Sequence, residues 1–474
     1  MEKTLGLKRT LSLPDLVFLN LVSVISITSL ATGAKAGVSG LTLFIIAAIF
    51  FFIPEGMAVN ELSSKYPEEG GIYAWTKKLL GSGHGFLCGW CYWVNNLLYY
   101  PTLVLSIGTI ATYIFPEPSA WMSKKSFLLP FSILILWLAT YINIIGLKKG
   151  KWLQNFGGIG TYLPFFILVG VAIYFMTKHP PANSFQAQNW KLNWSDFSSL
   201  NLWALIPFAY SGLELSAIMA GEIKDARRNV RIAVIIAAPL IALFYVMGSS
   251  ALLYVVPNQD IDVIGGIFQA INSGLKNSGS NLLWLGMAAA ACATIGRFGA
   301  LGAWISGNAR IAFVVGVDKY LPKSFGKIHP HWHTPHISMI VQAIISTILL
   351  AGAIAGEGTT VHTAFLLLLD ACIIIYFIPY TYLFACYILN HFRNQSRTTF
   401  ENLKHILIGS SGLFITLFGI FVALIPPPGS VAWIFELKLI GGCVVLIVAG
   451  GCFYWLNQNK NREENSGILP PREK

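Results

Sequence analysis

The chain has 474 residues, of which 55% are hydrophobic and only 11% are charged. Soluble globular proteins carry about 25% charged residues, so this composition excludes an ordinary soluble globular protein and requires lipid as a solvent. The net charge of +11 does not indicate a nucleic-acid partner, because the basic residues are dispersed over many short segments.

About twelve apolar stretches are long enough to cross a membrane, for which about 20 residues suffice. The predicted spans are 14–32, 41–62, 86–115, 127–146, 153–176, 201–222, 231–256, 281–313, 336–355, 361–389, 406–426 and 431–456. Their apolar runs are continuous rather than alternating, which favours helices over a membrane barrel. The first span lacks a convincing cleavage site, so we expect it to be retained. The sequence therefore predicts an all-α polytopic membrane protein with no soluble domain.

Basic residues are distributed unevenly between the two sets of loops. If the N-terminus is cytoplasmic, the cytoplasmic segments hold 24 of the 32 Lys and Arg residues and the outside loops hold five. Positive charge is retained on the cytoplasmic side of membrane proteins. The sequence therefore predicts a multi-pass protein of the cytoplasmic (inner) membrane with both termini cytoplasmic.

Cysteine and histidine usage predicts neither a disulfide framework nor a metal centre. All seven cysteines lie in predicted spans, where Cys88 and Cys91 form a lone C-x-x-C in an apolar context. Four histidines after the eighth span alternate in spacing, with no Cys or carboxylate beside them. They are His329, His331, His333 and His336. We expect no metal and no cofactor, and a pH-sensing role for these histidines is left open.

Two predicted spans carry polar and helix-breaking residues. The first contains Ser-Val-Ile-Ser-Ile-Thr-Ser at 23–29, and the sixth contains Pro207 followed by Tyr-Ser-Gly at 210–212. They are five spans apart, as expected for two inverted five-helix repeats whose discontinuous helices form a solute site. The alternative is that these residues only ease close helix packing.

Three ordered stretches resemble the amino acid/polyamine/organocation (APC) superfamily. The first is Pro-Glu-Glu-Gly-Gly-Ile-Tyr-Ala-Trp at 67–75. The second runs from Phe-Ala-Tyr-Ser-Gly-Leu-Glu at 208–214 to Glu-Ile-Lys-Asp-Ala-Arg-Arg-Asn-Val at 222–230. The third, at 310–335, contains Asp-Lys-Tyr-Leu-Pro-Lys. Together they cover the first ten spans, and the chain is most similar to bacterial antiporters of the glutamate/GABA and arginine/agmatine kind.

The resemblance implies a LeuT-like fold, with a 5+5 inverted repeat and two extra helices. It divides the chain into a cytoplasmic N-terminal segment (1–13), a transport core (14–389), spans 11 and 12 (390–457) and a cytoplasmic tail (458–474). Substrate is then held midway through the membrane between the broken first and sixth helices. Free N–H groups at a helix break suit a carboxylate, and free carbonyl groups suit an ammonium group.

The resemblance also implies which residues hold the substrate. Phe208 and Trp304 match family aromatics that stack on a cation or an alkyl stem. Asn96, with its neighbours Asn95 and Tyr92, matches a polar position on the third span. Aromatic packing and an interhelical hydrogen bond are the respective alternatives. The unwound segments supply the other predicted contacts, which are Ser26, Ile27, Thr28, Tyr210, Ser211 and Gly212.

Several ionisable residues lie at membrane depth, where one charge costs about 2.5–3.5 kcal/mol. Glu214 matches a family acidic position and is predicted to carry a proton or to stabilise unwound backbone. Arg297 has no family counterpart. It is predicted either to hold the side-chain carboxylate of an acidic substrate or to pair with Asp370. Glu55 and Glu61 are expected to be gate or packing partners.

A cytoplasmic gate is expected beside these spans. The resemblance places Tyr73 and Trp75 in it, together with ion pairs at the end of the sixth span that include Glu222 and Arg228. The alternative for the charged residues is a solvated loop that follows the distribution of positive charge.

Two positions depart from the family pattern. Many members have a small triplet such as Gly-Ser-Gly in the first span, where this chain has Ile-Ser-Ile at 25–27, and unwinding has a higher steric cost without Gly. Some members place a coupling Lys seven residues after a Gln on the fifth span. Here Gln154 is followed at that spacing by Thr161, which favours exchange, or a proton carried by Glu214.

These patterns predict a secondary transporter of amino acids that works by alternating access, through exchange or with a coupling proton. A polyamine or basic-amine antiporter is the main alternative, and a non-transporting nutrient sensor on the same fold is another. No enzyme is expected, because the spans hold no paired catalytic residues. The expected partners are a small amino acid or amine, the lipid bilayer and a proton. The oligomeric state is left open, a homodimer included.

Overall fold

A computed structural model describes residues 7–115, 122, 124–192, 200–277, 282–355, 361–393, 399–425 and 432–466. These residues are almost entirely helical, with one isolated β-bridge between Leu11 and Ile223. The fold prediction of an all-α polytopic membrane protein is confirmed.

Helices occupy all twelve predicted spans, in order. In chain order the helices are Leu13–Val24, Ile27–Lys35, Val38–Lys65, Ile72–Leu80, Ser82–Thr112, Lys125–Ile144, Leu147–Met176, Leu202–Tyr210, Glu214–Ile218, Ala226–Val255, Gly266–Asn277, Trp284–Val317, His336–Ala355, Val361–Phe392, Thr399–Ala423 and Ala432–Ser466. Short 3-10 turns lie at Ala187–Trp190, Ala220–Glu222, Asn258–Asp260 and Lys323–Gly326.

Length and hydropathy identify the helices that can cross a bilayer. Among the described residues nine helices qualify, or ten if the bent pair Leu13–Val24 and Ile27–Lys35 is one span. The third and sixth predicted spans are not among them, and the sixth is interrupted. The number of twelve crossings therefore stays a prediction. The ordinal names of the spans are kept below for the helices that occupy them.

The first span breaks at Ile25 and Ser26, where the backbone is extended and the two helices meet at 40°. Ser26 caps the second half, because its hydroxyl accepts the N–H of Ser29 at 3.2 Å. A Ser at this position satisfies one of the N–H groups that a helix start leaves free. The break lies inside the predicted polar stretch 23–29.

The sixth span breaks between Tyr210 and Glu214. Ser211 is extended. Gly212 has a φ of +134°, a backbone conformation that residues other than Gly rarely adopt. Pro207 lies one turn before the break. The sequence therefore predicted both discontinuities at the right positions.

Side chains from the second and seventh spans stabilise the two breaks. The hydroxyl of Tyr245 accepts the N–H of Ser26 at 3.0 Å and lies 2.8 and 2.9 Å from the carbonyl oxygens of Val24 and Ala209. It therefore joins the first break to the sixth span. Burial in lipid requires such partners for every free backbone group.

Glu55 does the same for the sixth span. Its Oε1 accepts the N–H groups of Gly212 and Leu213 at 3.3 and 3.0 Å. Glu55 follows Pro54 and a π-helical turn at Ala48–Phe52 in the second span. Such turns are common at functional positions in helices. Glu55 was expected to be a gate or packing partner. In the structure it does more than pack, because it directly caps the broken helix.

Candidate functional site

A small central cavity of about 20 Å³ lies between the two breaks. Its lining comes from the first, third, sixth, eighth and tenth spans. The lining residues are Ser23, Val24, Ser26, Ser29, Asn95, Tyr99, Phe208, Ala209, Ser211, Trp304 and Tyr376. Hydroxyl and amide groups alternate in it with aromatic rings, and no Asp or Glu is among them.

Aromatic rings form one wall of the central cavity. Phe208 packs edge-on against Tyr99 and Tyr376, with centroids 6.1 and 5.7 Å apart, and Trp304 packs against the same two rings at 5.8 and 6.0 Å. The indole of Trp304 donates to the carbonyl of Ser23 at 3.1 Å. The structure thus places both predicted aromatics in the cavity, and their contact with substrate stays a prediction. Tyr99 and Tyr376 were missed.

A second small cavity of about 10 Å³ lies beside the first and shares Ser29 and Phe208 with it. Thr28, Thr32 and Gly33 also line it. Phe208 and Ser29 therefore border both cavities.

Of the predicted backbone-break residues, Ser26 and Ser211 line the central cavity and Thr28 lines the second. Ile27 is buried and lines neither. Gly212 is also absent from the lining, because its N–H is held by Glu55 and by Tyr380 at 2.7 Å.

Two other predicted contacts, Asn96 and Tyr210, point away from the central cavity. Asn96 donates to the carbonyl of Tyr92 within its own helix at 2.9 Å, whereas Asn95 lines the cavity. Adjacent residues on a helix point about 100° apart, so the two asparagines face different surroundings, and a substrate contact of Asn96 stays a prediction. Tyr210 donates to the carbonyl of Phe44 at 3.2 Å and packs against Tyr245.

Glu214 is buried in a cluster of tyrosines. Its carboxylate accepts hydrogen bonds from Tyr92 at 2.9 Å, Tyr376 at 2.6 Å and Tyr380 at 2.5 Å. Tyr380 also lies 2.9 Å from Oε1 of Glu55. The predicted substrate contact Tyr92 therefore belongs to this cluster and not to the cavity lining. Tyr376 belongs to both, which connects Glu214 to the cavity through one side chain.

Arg297 is buried at 4% exposure and has only neutral hydrogen-bond partners among the described residues. It donates to Ser106 at 3.1 and 3.2 Å, to Ser26 at 3.3 Å and to Thr28 at 3.4 Å. No ion pair joins it to Asp370 in the described part of the chain. The predicted Arg297–Asp370 bridge is therefore not formed in this structure.

The basic end of the bundle is defined as the end where the second span finishes at Lys65 and the eighth at Val317. It is closed by an ion pair between Glu222 and Arg310, both buried, with distances of 2.6 and 3.1 Å. The backbone N–H groups of Thr10 and Leu11 donate to the carbonyl of Glu222. Arg228, the other charged residue named for the gate, is exposed and makes no ion pair with the described residues, and its place in the gate stays a prediction.

The other predicted gate residues also make contacts at the basic end. Tyr73 donates to Asp318 at 2.5 Å, and Lys77 pairs with the same carboxylate at 2.6 Å. The indole of Trp75 donates to the carbonyl of Tyr66 at 3.0 Å. Together with the Glu222–Arg310 ion pair, these contacts form a closed surface at the basic end, between the second and eighth spans.

Glu69 is an acidic group at this closed surface, and its pKa is raised. Burial raises its pKa from 4.5 to about 8, and the nearby Glu222 carboxylate adds to the rise. Its Oε2 accepts the N–H of Gly221 at 2.5 Å.

The family model described as amino acid permease matches residues 11–449. The chain belongs to the amino acid permease family. It is thus a transmembrane member of the APC superfamily, as its three motifs predicted.

Relatives of known and unknown function agree with this membership. An uncharacterized transporter of Legionella pneumophila is 28% identical over 96% of this chain and 98% of the relative. The glutamate/gamma-aminobutyrate antiporter of Lactococcus lactis is 23% identical, covering 85% and 81% of the two chains. The serine/threonine exchanger SteT of Bacillus subtilis is 25% identical over 62% and 64%.

A solved structure confirms the fold. MhsT in complex with L-phenylalanine matches with a TM-score of 0.62 over 88% of this chain and 99% of its own, at 15% identity. At this identity the match shows the fold alone. The prediction of a LeuT-like fold is therefore confirmed.

A further group of ionisable side chains lies outside the central site, at the basic end. Glu61, His391 and His405 lie within 4.8 Å of one another beside a cavity at the basic end. The two imidazole rings are stacked, 4.3 Å apart and 4° from parallel, so their nitrogen lone pairs lie in separate planes and do not converge on one point. Glu61 accepts a hydrogen bond from Asn390 at 2.7 Å. The expectation that the protein holds no metal stays a prediction.

Proposed function

We propose that the protein is a secondary transporter that carries amino acids across the cytoplasmic membrane by alternating access, with substrate in the central cavity. The observation that carries this proposal is the position of the cavity between the two helix breaks. Membership of the amino acid permease family supports the class of substrate.

The charges of the helix ends fit an α-amino acid. The helix Ile27–Lys35 presents its amino end beside Ser26, and the helix Leu202–Tyr210 presents its carboxyl end beside Ala209 and Ser211. A helix amino end favours an anion and a carboxyl end favours a cation. A zwitterion placed between them has its carboxylate near the first span and its ammonium group near the sixth.

The closed contacts support an assignment of the two gates. Glu222–Arg310 and Tyr73–Asp318 close the basic end, and Phe208 borders both the central cavity and the second cavity. In the proposed cycle, the ring of Phe208 moves to admit substrate from one side. The basic end, which we assign to the cytoplasm from the distribution of positive charge, opens to release it.

Exchange and proton coupling remain the two proposed modes. Relatives named as an antiporter and an exchanger support exchange. Glu214 supports proton coupling, because its carboxylate is buried with three phenols and is connected to the cavity lining through Tyr376. A polyamine substrate is disfavoured, since no carboxylate lines the central cavity.

Counterflow in proteoliposomes tests the proposal. Purified protein is reconstituted into vesicles loaded with one unlabelled amino acid, and uptake of the same labelled amino acid is followed for a panel of amino acids and for putrescine. We expect saturable accumulation of at least one amino acid and none of putrescine. A nutrient sensor would give no flux for any compound, and a polyamine antiporter would accumulate putrescine alone.

A further inference from the structure

Arg297 places a full positive charge in the membrane interior without a negative partner among the residues that the structure describes. Such a charge is costly unless it is paired or faces a wet pathway. It donates to the hydroxyls of Ser26, Thr28 and Ser106 at 3.1–3.4 Å, and it also forms a hydrogen bond with the hydroxyl of Tyr99. Hydroxyls do not neutralise a guanidinium, so the charge needs an anion that the described protein does not supply.

The hydroxyl network directs a proton toward the second cavity. A guanidinium only donates, and a hydroxyl has one proton and two acceptor positions. The oxygen of Ser26 accepts from Arg297 and from the N–H of Ser29, so its proton is directed to Thr28, 2.8 Å away. The oxygen of Thr28 then accepts from Ser26 and Arg297. Among the described residues, the proton of Thr28, which lines the second cavity, is left without an acceptor.

Ser106 holds the arginine in this orientation. Its hydroxyl proton donates to the carbonyl of Leu103 at 2.7 Å, so its oxygen is free to accept two N–H groups of Arg297. The third span thus fixes the guanidinium against the break of the first. The arrangement presents hydroxyl donors, backed by a cation, to the substrate side.

The same place is the amino end of the helix Ile27–Lys35. Thr28 lies in its first turn, where the helix contributes roughly half a positive charge. No Asp or Glu lines either cavity. A neutral amino acid brings one carboxylate and one ammonium group, which leaves the charge of Arg297 uncompensated. A substrate that keeps its α-carboxylate in the central cavity balances this charge with a second carboxylate on the side of Thr28, which lines the second cavity.

We infer that Ser26, Thr28 and Arg297 form a carboxylate subsite that selects acidic amino acids over their neutral amides. The inference rests on the proposed function and adds the substrate class to it. Arg297 determines specificity in this arrangement, and Ser106 is a positioning residue.

The test compares acids with their isosteric amides by counterflow in proteoliposomes. Glutamate is measured against glutamine and aspartate against asparagine, for the wild type, Arg297→Gln, Arg297→Lys and the control Arg231→Gln, which removes an exposed arginine at the basic end. We expect the wild type and the control to prefer the acid by about tenfold or more, as loss of a charge pair costs at least this much. Arg297→Gln should abolish the preference, and Arg297→Lys should keep part of it.

Each outcome decides between the claims. Amino-acid flux without preference for acids in the wild type, or an unchanged acid-to-amide ratio in Arg297→Gln, overturns the subsite while the proposed function stands. No amino-acid flux from folded wild-type protein overturns both. Flux that becomes sodium-dependent in Arg297→Gln with the ratio unchanged would show that Arg297 only replaces a bound cation, which also overturns the subsite.

Two further measurements cover the case in which Arg297→Gln does not fold. The rise in Tm on adding glutamate or glutamine to the wild type requires no variant, and we expect the larger rise with glutamate. Thr28→Val removes the free hydroxyl donor and keeps the arginine. It should lower the acid-to-amide ratio, and an unchanged ratio together with equal Tm shifts contradicts the subsite.

Discussion

Tyr380 donates a hydrogen bond of 2.5 Å to Glu214. Through the same hydroxyl it contacts Glu55, which caps the broken sixth span. A change in the protonation of Glu214 therefore acts on the backbone at the break through one side chain. This connection suggests how a proton would be coupled to movement of the sixth span.

Glu214→Gln tests this coupling. The amide cannot release a proton, and its NH₂ group replaces one carboxylate oxygen, so it meets one or two of the three hydroxyls that now donate to the carboxylate. If the mode is proton coupling, we expect uptake driven by a proton gradient to fall by about tenfold more than exchange does. The measurement is labelled uptake with and without a gradient in the same vesicles. Glu68→Gln, at a half-exposed surface pair, is the control, and an equal loss of both activities would argue for exchange alone.

Tyr245→Phe removes the hydroxyl that joins the two breaks. The N–H of Ser26 then loses its partner in a buried site, which costs about 1–3 kcal/mol. We expect a lower Tm in detergent than for the wild type. Tyr141→Phe changes a tyrosine that is 58% exposed on the fourth span and should leave the Tm unchanged. Equal Tm values for the two variants would show that Tyr245 does not stabilise the breaks.

Arg310→Met breaks the buried ion pair at the basic end. It leaves the Glu222 carboxylate buried without its partner, and such a loss costs roughly 3–5 kcal/mol. We expect a strong drop in Tm, partly recovered when Glu222→Gln is added. Lys78→Met removes one partner of the exposed Glu68 pair and should cost at most about 1 kcal/mol. Equal effects of the two Met variants would contradict a stabilising role for the buried pair.

The raised pKa of Glu69 predicts that the stability of the closed basic end depends on pH. Its pKa is about 8 when buried and 4.5 as the ordinary value. The closed form therefore binds a proton more tightly than an open or unfolded form does, and its stability falls as pH rises from 4.5 to 8. We expect the Tm of the wild type to fall more than that of Glu69→Gln over this range. Parallel curves for the two proteins would contradict the assignment.

The sequence was enough to predict the helix breaks and four residues of the central cavity, which are Ser26, Phe208, Ser211 and Trp304. Gly212 and Pro207 disfavour a regular helix by themselves, and the family motif places Phe208 and Trp304. Asn95 was named only as a neighbour of Asn96, because the choice between the two depends on the rotation of one helix. A shift of one residue turns a side chain by about 100°.

Contacts between distant spans were not predictable in the same way. Arg310 lies 88 residues from Glu222, and Tyr245 lies 219 residues from Ser26. Neither pair leaves a periodic pattern, because each depends on how two helices are placed against each other. Arg297 was recognised as unusual from its charge alone, but only the structure shows that its partners are hydroxyls and not Asp370.

The most direct test of the transport site is amino-acid counterflow by Trp304→Ala beside Trp152→Ala. Trp304 lines the central cavity, whereas Trp152 is 58% exposed on the fifth span. For an amino acid that the wild type accumulates, we expect Trp304→Ala to lose most of the flux and Trp152→Ala to keep it. Wild-type flux in Trp304→Ala, with both variants folded, would contradict a substrate site between the broken helices.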